Sequence, residues 1–312
     1  MFAIDYFVVD VFTGTALTGN PLAVAMNNRG LTTERMQAIA REFNFSETTF
    51  VERRPAAVEE AEGVRVRIFT TREELNFAGH PTLGTASVLK LIAPEVFEGD
   101  TVRLAENVGA IPVRFSGDGL YGEMTQRDPE FGEELNRAEV ARLTGLAESD
   151  LDPGLPPQIV STGTAFAIVP LRDAGMLARL RVKQEESMAW LRERGARWFY
   201  VLGPALEQGG GGEPAWRARM QFNGGEDPAT GSAAGCAIGY LVRHGAVAPG
   251  VGTHVRQGVE IGRQSDLYLS AQIHGGAERR QNGFGEEQSL KVTDVCVGGS
   301  TVLVAKGQLF LP

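Results

Sequence analysis

Two stretches of this 312-residue chain are apolar almost all round. One contains Leu83, Ala86, Val88, Leu89, Leu91 and Ile92; the other contains Ala233, Ala234, Cys236, Ala237, Ile238, Leu241 and Val242. A helix with no polar face must be buried on every side, so the fold has to wrap something around each of two helices. Both stretches open on one string, X-Pro-x-x-Gly-[Ser/Thr]-Ala, at 80–86 and again at 227–233, and the offset of 227 − 80 = 147 is close to half the chain. Proline is tolerated in the first helical turn, which has no intrahelical use for its N–H. The spacing therefore predicts helices from Pro81 and from Pro228 (about 228–243), with His80 and Asp227 at or near their N-caps. Two related lobes, each with a central helix whose positive end carries a titratable group, imply a site between them.

The lengths of chain on either side suffice for two cores. Residues 126–158 are polar and proline-dotted, with a helix expected at about 137–146, and act as the crossover between lobes 1–127 and 128–312. A terminal strand is free to pack back on the first lobe. Hydrophobic content of 43% and charged content of 22% belong to a globular protein. A net charge of −9 presents no basic stripe for nucleic acid or an anionic membrane. The first ten residues alternate and are broken by Asp5 and Asp10, which reads as a strand and as neither a signal peptide nor a membrane span. With Cys236 and Cys296 the only cysteines, the expectation is a cytoplasmic protein without disulfides.

Between the helices the grammar is mostly that of strands. Tyr6–Phe12 and Leu22–Met26 flank a Gly/Asn/Pro turn; Met36, Ile39, Ala40 and Phe43 mark a helix at about 33–44, capped by Thr32 or Thr33. Val64–Thr70 alternates, strands are expected at 101–105 and 110–125, and 159–169 reads as strand-turn-strand. A helix at about 184–194 and strands at 198–202, 216–222 and through 252–311 follow. Glycine-rich turns fall at 207–213 and 275–288. The βαβ rhythm of a parallel sheet is not evident, and the fold class expected is α+β: two pseudo-symmetric lobes, each a mostly antiparallel curled sheet around a buried helix.

Several chemistries are absent. The four histidines share no short spacing and the cysteines lie 296 − 236 = 60 residues apart, so no metal site is expected. There is no GxSxG elbow and no phosphate loop, and Cys236 reads as a structural cysteine inside its helix. Asp227 is either a plain N-cap or a site residue. Gly224-Gly225-Glu226 before it and Gly231-Ser232 after it let backbone approach a ligand, and an open helix start suits a substrate carboxylate. His80, between Ala78-Gly79 and Pro81, is either a satisfied histidine or its partner. Glu47, flanked by Phe45, Thr48, Thr49 and Phe50, is either a solvated carboxylate or one held in a dry cleft, where desolvation would raise its pKa toward neutrality.

The strings Val9–Thr13, Gly19–Val24 and Met36–Thr48, then Phe77-Ala78-Gly79-His80-Pro81-Thr82-Leu83-Gly84, Ser161–Thr164, Glu226–Ala233 and Gln257–Arg263, occur in an order that resembles the phenazine-biosynthesis PhzF-like isomerases. The resemblance implies the diaminopimelate epimerase-like fold, with the site in the cleft between lobes, no cofactor and a homodimer. It also implies roles: Glu47 as general acid/base, His80, Asp227 and Ser232 holding and polarising the substrate, and Gly79 and Gly231 supplying backbone donors. The substrate implied is a small amino- and carboxy-bearing metabolite, as in isomerisation of trans-2,3-dihydro-3-hydroxyanthranilate. No thiol stands at either helix start, which argues against racemisation by two cysteines. Gln264 stands where the family pattern has proline. Two other functions share the fold: an amino-acid racemase or epimerase with oxygen and nitrogen bases, and a small-molecule-binding or interaction protein without turnover.

Overall fold

A computed structural model of the chain describes residues 2–26, 30–94, 99–117, 121–205, 215–222, 224–276 and 289–311. The expected turn at 207–213, and all but the first two residues of that at 275–288, lie outside the described residues. The chain begins β1 (Phe2–Val11), β2 (Asn20–Met26), α1 (Thr33–Phe43), β3 (Glu47–Glu52), α2 (Ala56–Glu62) and β4 (Val64–Thr70). It continues through β5 (Glu74–Leu75), α3 (Gly79–Ile92), β6 (Thr101–Glu106), β7 (Gly109–Ser116) and β8 (Tyr121–Thr125). Then come β9 (Glu130–Glu134), α4 (Arg137–Thr144), β10 (Gln158–Ser161), β11 (Ala165–Pro170), α5 (Gln184–Arg192) and β12 (Trp198–Pro204). The last elements are β13 (Ala215–Arg219), β14 (Gln221–Phe222), β15 (Gly225–Glu226), α6 (Gly231–Arg243), β16 (Thr253–Gln257), β17 (Ser265–Gly276) and β18 (Ser289–Leu311).

One continuous sheet runs β1-β2-β3-β4-β6-β7-β8-β18-β17-β16-β13-β12-β11-β10-β9. β18 is long enough to serve three partners: its first part pairs with β17, its middle with β8, and Thr301–Leu311 with β1. The β1–β18 pairing closes β1 through β8 and β18 into a ring, and α3 touches seven of its strands. A register shift between Val8 and Val9 bends β1 where the ring closes. α6 packs on β10, β11, β17 and β18, and meets α3. The result is a mixed α/β fold on a barrel-like sheet.

Pairing is mostly antiparallel, as the alternation suggested. The described residues nevertheless include parallel pairs, β2–β3, β4–β6, β11–β12 and β13–β16, with α1, α3, α5 and α6 in the respective connections. Two of these units, around α3 and α6, went unread because those helices are apolar all round and lack the one-sided periodicity of a surface crossover helix. α1 shows that periodicity, burying Met36, Ile39 and Ala40, and Thr32 caps it through Arg35 N–H.

α6 is buried from Gly231 to Val242. α3 is buried from Gly79 to Leu89 with Ser87 partly exposed, but Leu91 and Ile92 are 53% and 38% exposed. They were expected inside; the last turn of α3 instead projects beyond the ring of strands. α6 also starts later than expected, at Gly231, because the chain from Asp227 to Thr230 is held extended by side-chain bonds described below.

Candidate active site

The N-termini of α3 and α6 touch. A Cβ added to Gly79 would lie 2.8 Å from both Gly231 C and Ser232 N, so only glycine lets the two backbones meet. The cap residues are Ala78 and Thr230, and neither closes its helix with a side chain. Two helix starts without side-chain caps at one place suit an anion. Gly79, Gly231 and Ser232 are all buried there.

His80 and Asp227 lie near the N-caps, and neither is itself the cap. His80 is the second residue of α3, whereas Asp227 lies three residues before Thr230, and Pro228 is outside the helix. The starts that meet are Gly79 and Gly231, 231 − 79 = 152 residues apart, an offset that matches His80 with Ser232. The offset of 147 matched Gly84, in the middle of α3, with Gly231 at the head of α6. The string echo was out of register by five residues even though the two helices do converge.

Glu47 is the first residue of β3, between Leu22 of β2 and Thr70 of β4, and is 8% exposed. Its Oε2 lies 3.4 Å from His80 Nε2, and neither atom has a hydrogen-bond partner. Burial, and after it the charge of Asp227, raises the Glu47 pKa well above the usual carboxylate range. Burial lowers the His80 pKa to about 3, so its ring is neutral.

Asn20 settles the tautomer. Its Nδ2 lies 2.8 Å from Ala229 O, which can only accept, so the amide nitrogen is correctly placed. The same nitrogen lies 2.8 Å from Asp227 Oδ1 and 3.2 Å from His80 Nδ1. The two shorter contacts use both amide hydrogens, but a donor nitrogen facing Nδ1 disfavours a proton there, which assigns the ring proton to Nε2, facing Glu47. Asp227 Oδ2 accepts from Thr230 Oγ1 at 2.7 Å. Burial raises the Asp227 pKa to about 7, against hydrogen bonds from Thr230, Asn20 and Ser46 that lower it.

Further side chains hold the segment rigid. Gln257 donates to Asp227 O at 2.8 Å and to Thr230 Oγ1 at 3.0 Å, and accepts from Thr230 N. Gln126 donates to Gly231 O at 2.9 Å and accepts from Thr162 Oγ1. Arg263 bonds Gly19 O, Thr18 O and Asp10, while Gln264 O accepts from Gly19 N. The proline replaced by Gln264 would offer the same carbonyl. Arg219 pairs with Glu226 beside Asp227. Asn20, Ser46, Thr230, Gln257 and Gln126 were not singled out from sequence, although all but Gln126 lie within strings that carried the resemblance. Cys236 is buried against Thr162 and Thr164, its thiol pushed up to about 11. Among the described residues no group of side chains could hold a metal ion, and no helix is long and apolar enough to cross a membrane.

A raised carboxyl facing a neutral imidazole beside paired helix starts is an arrangement able to move a proton, as an isomerase does. Residues 9–307 match the family of phenazine biosynthesis-like proteins, and the chain belongs to that family. It is 34% identical to the trans-2,3-dihydro-3-hydroxyanthranilate isomerase of Pseudomonas aeruginosa, covering 98% of this chain and 99% of that one. It is 33% identical, over the same shares, to an uncharacterized isomerase of Mesorhizobium japonicum. The crystal structure of a PhzF-family phenazine biosynthesis protein from Bacillus anthracis superposes with a TM-score of 0.81, at 25% identity and complete coverage of both chains. The protein is an isomerase.

Proposed function

We propose that this isomerase moves a proton within a small amino- and carboxy-bearing metabolite without a cofactor, Glu47 taking the proton from one carbon and returning it to another. The observation that carries the reading is the Glu47–His80 contact: two buried, unpaired polar atoms 3.4 Å apart, next to two uncapped helix starts. The substrate carboxylate sits on the backbone N–H groups around Gly79, Gly231 and Ser232. An amino group meets Asp227, which removes the repulsion that Asp227 exerts on Glu47. His80 Nε2–H steadies charge that develops on the substrate. The C–H bond breaks toward Glu47 and its electron pair enters the adjacent unsaturated system. Glu47, whose carboxyl proton exchanges with solvent, then gives a proton to the second carbon to form the new C–H bond, so nothing is consumed. A carboxyl with a raised pKa suits both halves, being a stronger base when ionised and able to hold the proton between them.

The order of pairings supports two pseudo-symmetric lobes, 1–127 and 128–312, in a diaminopimelate epimerase-like arrangement. From β1 to β8, and again from β10 to β18, consecutive pairs run antiparallel, parallel, antiparallel, parallel, antiparallel, antiparallel. In this reading the protein is a homodimer of the cytoplasm, which suits its two free thiols. The test is turnover in heavy water of trans-2,3-dihydro-3-hydroxyanthranilate and of a panel of small amino carboxylates. Product should carry solvent deuterium at the new C–H, and Glu47→Gln should lose at least about a hundredfold in kcat, the usual size of general acid–base catalysis. Full activity in that variant defeats the assignment.

A further inference from the structure

Glu106 is a second buried acid, outside the set that handles substrate. It ends β6, is 5% exposed, and its Oε2 has no partner. Its Oε1 lies 2.6 Å from Thr82 Oγ1, on the first turn and a half of α3. Thr82 Oγ1 also lies 2.7 Å from Ala78 O, the carbonyl of the residue that caps α3. A threonine hydroxyl has one proton, and here it has two oxygens to satisfy. The carbonyl can only accept, so the hydroxyl proton goes to Ala78 O. With the hydroxyl proton placed there, the 2.6 Å contact takes its proton from Glu106; with Glu106 ionised, Thr82 would donate to it instead.

The surroundings agree with a neutral acid. Arg65 of β4 is the cation nearest in effect, but its guanidinium is engaged by Ala105 O and Asn107 Oδ1. α3 has no acidic residue in its first turn and no lysine or arginine before Lys90, His80 is neutral, and the β7 residue in register with Glu106 is Gly109. Burial pushes the Glu106 pKa up to about 8, against smaller lowering by Thr82 and Arg65.

We propose that Glu106 is a positioning residue for the isomerase site, a carboxylic acid whose proton locks Thr82 onto Ala78 O and so fixes the turn that carries Gly79 and His80. When Glu106 ionises it can only accept, and the single Thr82 proton cannot serve both oxygens. Ala78 O is then left with only its 3.2 Å bond from Thr82 N–H, or the carboxylate is left bare, and the start of α3 slackens. The inference rests on the reading of Gly79 and His80 as site residues, but its test needs no substrate.

Amide hydrogen exchange of residues 78–84, corrected for the intrinsic effect of pH, reads the turn directly. In the unaltered protein, protection should fall roughly tenfold between pH 7 and pH 9. Glu106→Gln keeps a donor at every pH and should hold protection constant over that range. It should also extend the alkaline limit of kcat with KM unchanged at pH 7. Thr82→Val, which removes only the hydroxyl, should likewise lose the pH dependence, and it tests the same link if Glu106→Gln fails to fold. Constant protection in the unaltered protein, or the same fall in a folded variant, overturns the proposal. Loss of turnover in Glu47→Gln bears on the proposed chemistry alone and leaves this result where it stands.

Discussion

The amide nitrogen of Asn20 has two hydrogens and three acceptors within 3.2 Å: Ala229 O, Asp227 Oδ1 and His80 Nδ1. It thereby joins β2 to the start of α3 and to the segment before α6. Asn20 is fully buried, so losing it would leave two acceptors facing no donor and no water. Asn20→Ala should cost about 1–3 kcal/mol in denaturant unfolding, the penalty of an unsatisfied buried group. It should also raise the Asp227 pKa further, because one of the bonds that lowers it is gone. kcat should fall more than KM rises, since His80 loses the contact that fixes its tautomer. Unchanged kinetics in Asn20→Ala would remove Asn20 from the site, whatever its effect on stability.

At the scale of elements, the site depends on two helix starts approaching as closely as backbone allows. Gly79→Ala would place a methyl 2.8 Å from Gly231 C and Ser232 N, backbone on a helix that Gln126 and Thr230 already fix. Neither side can move cheaply, so the starts separate and the shared anion site opens. Gly79→Ala should reduce kcat/KM at least tenfold, roughly 1.4 kcal/mol of lost binding at the transition state, and a thermal-shift response to small carboxylates should disappear. A variant that still responds to them would show that the carboxylate sits elsewhere.

The same elements show what sequence could and could not convey. That two buried helices carry the fold was legible, because an apolar surface all round has no other use. Their exact starts were not: Pro228 is helix-compatible, but Thr230, Gln257 and Asn20 hold its segment extended through contacts made 207 residues apart in one case. Glu47 could be read as wet or dry from its neighbours; it is buried at a strand position between β2 and β4, with His80 of α3 against its carboxyl. Asn20 looked like a turn residue beside Gly19 and Pro21. Its role appears only once the ends of β2, α3 and the segment before α6 are brought together.

For the whole molecule, the buried titratable groups set how stability depends on pH. Glu47, Glu106 and Asp227 all have pKa values raised by burial, Glu106 to about 8 and Asp227 to about 7. Above pH 4.5 their unfolded forms have largely lost a proton that the folded form keeps, so folding takes up protons and stability falls as pH rises. His80 acts in the opposite sense. Its folded pKa is about 3 against an ordinary 6.5, so below pH 6.5 the unfolded chain binds a proton that the folded one rejects, and stability rises with pH until that window closes. Between pH 4.5 and 6.5 His80 offsets one of the three carboxyls. Above 6.5 nothing in this set offsets them, until Asp227 and then Glu106 ionise in place. Each uncompensated proton is worth about 1.4 kcal/mol per pH unit. Acid-side losses come from groups such as Asp266, held at about 2 by His254 and Arg256 against its own partial burial. Denaturant unfolding across pH 4–9 should therefore show greatest stability at about pH 4.5 and its steepest decline between 6.5 and 8. Glu106→Gln should flatten that decline by one proton's worth, and a bound small carboxylate should shift the whole curve upward. Stability that stays level or increases from pH 6.5 to 8 would mean that these three carboxyls are already ionised in the folded protein. It would also remove the raised basicity on which the proposed proton transfer by Glu47 depends.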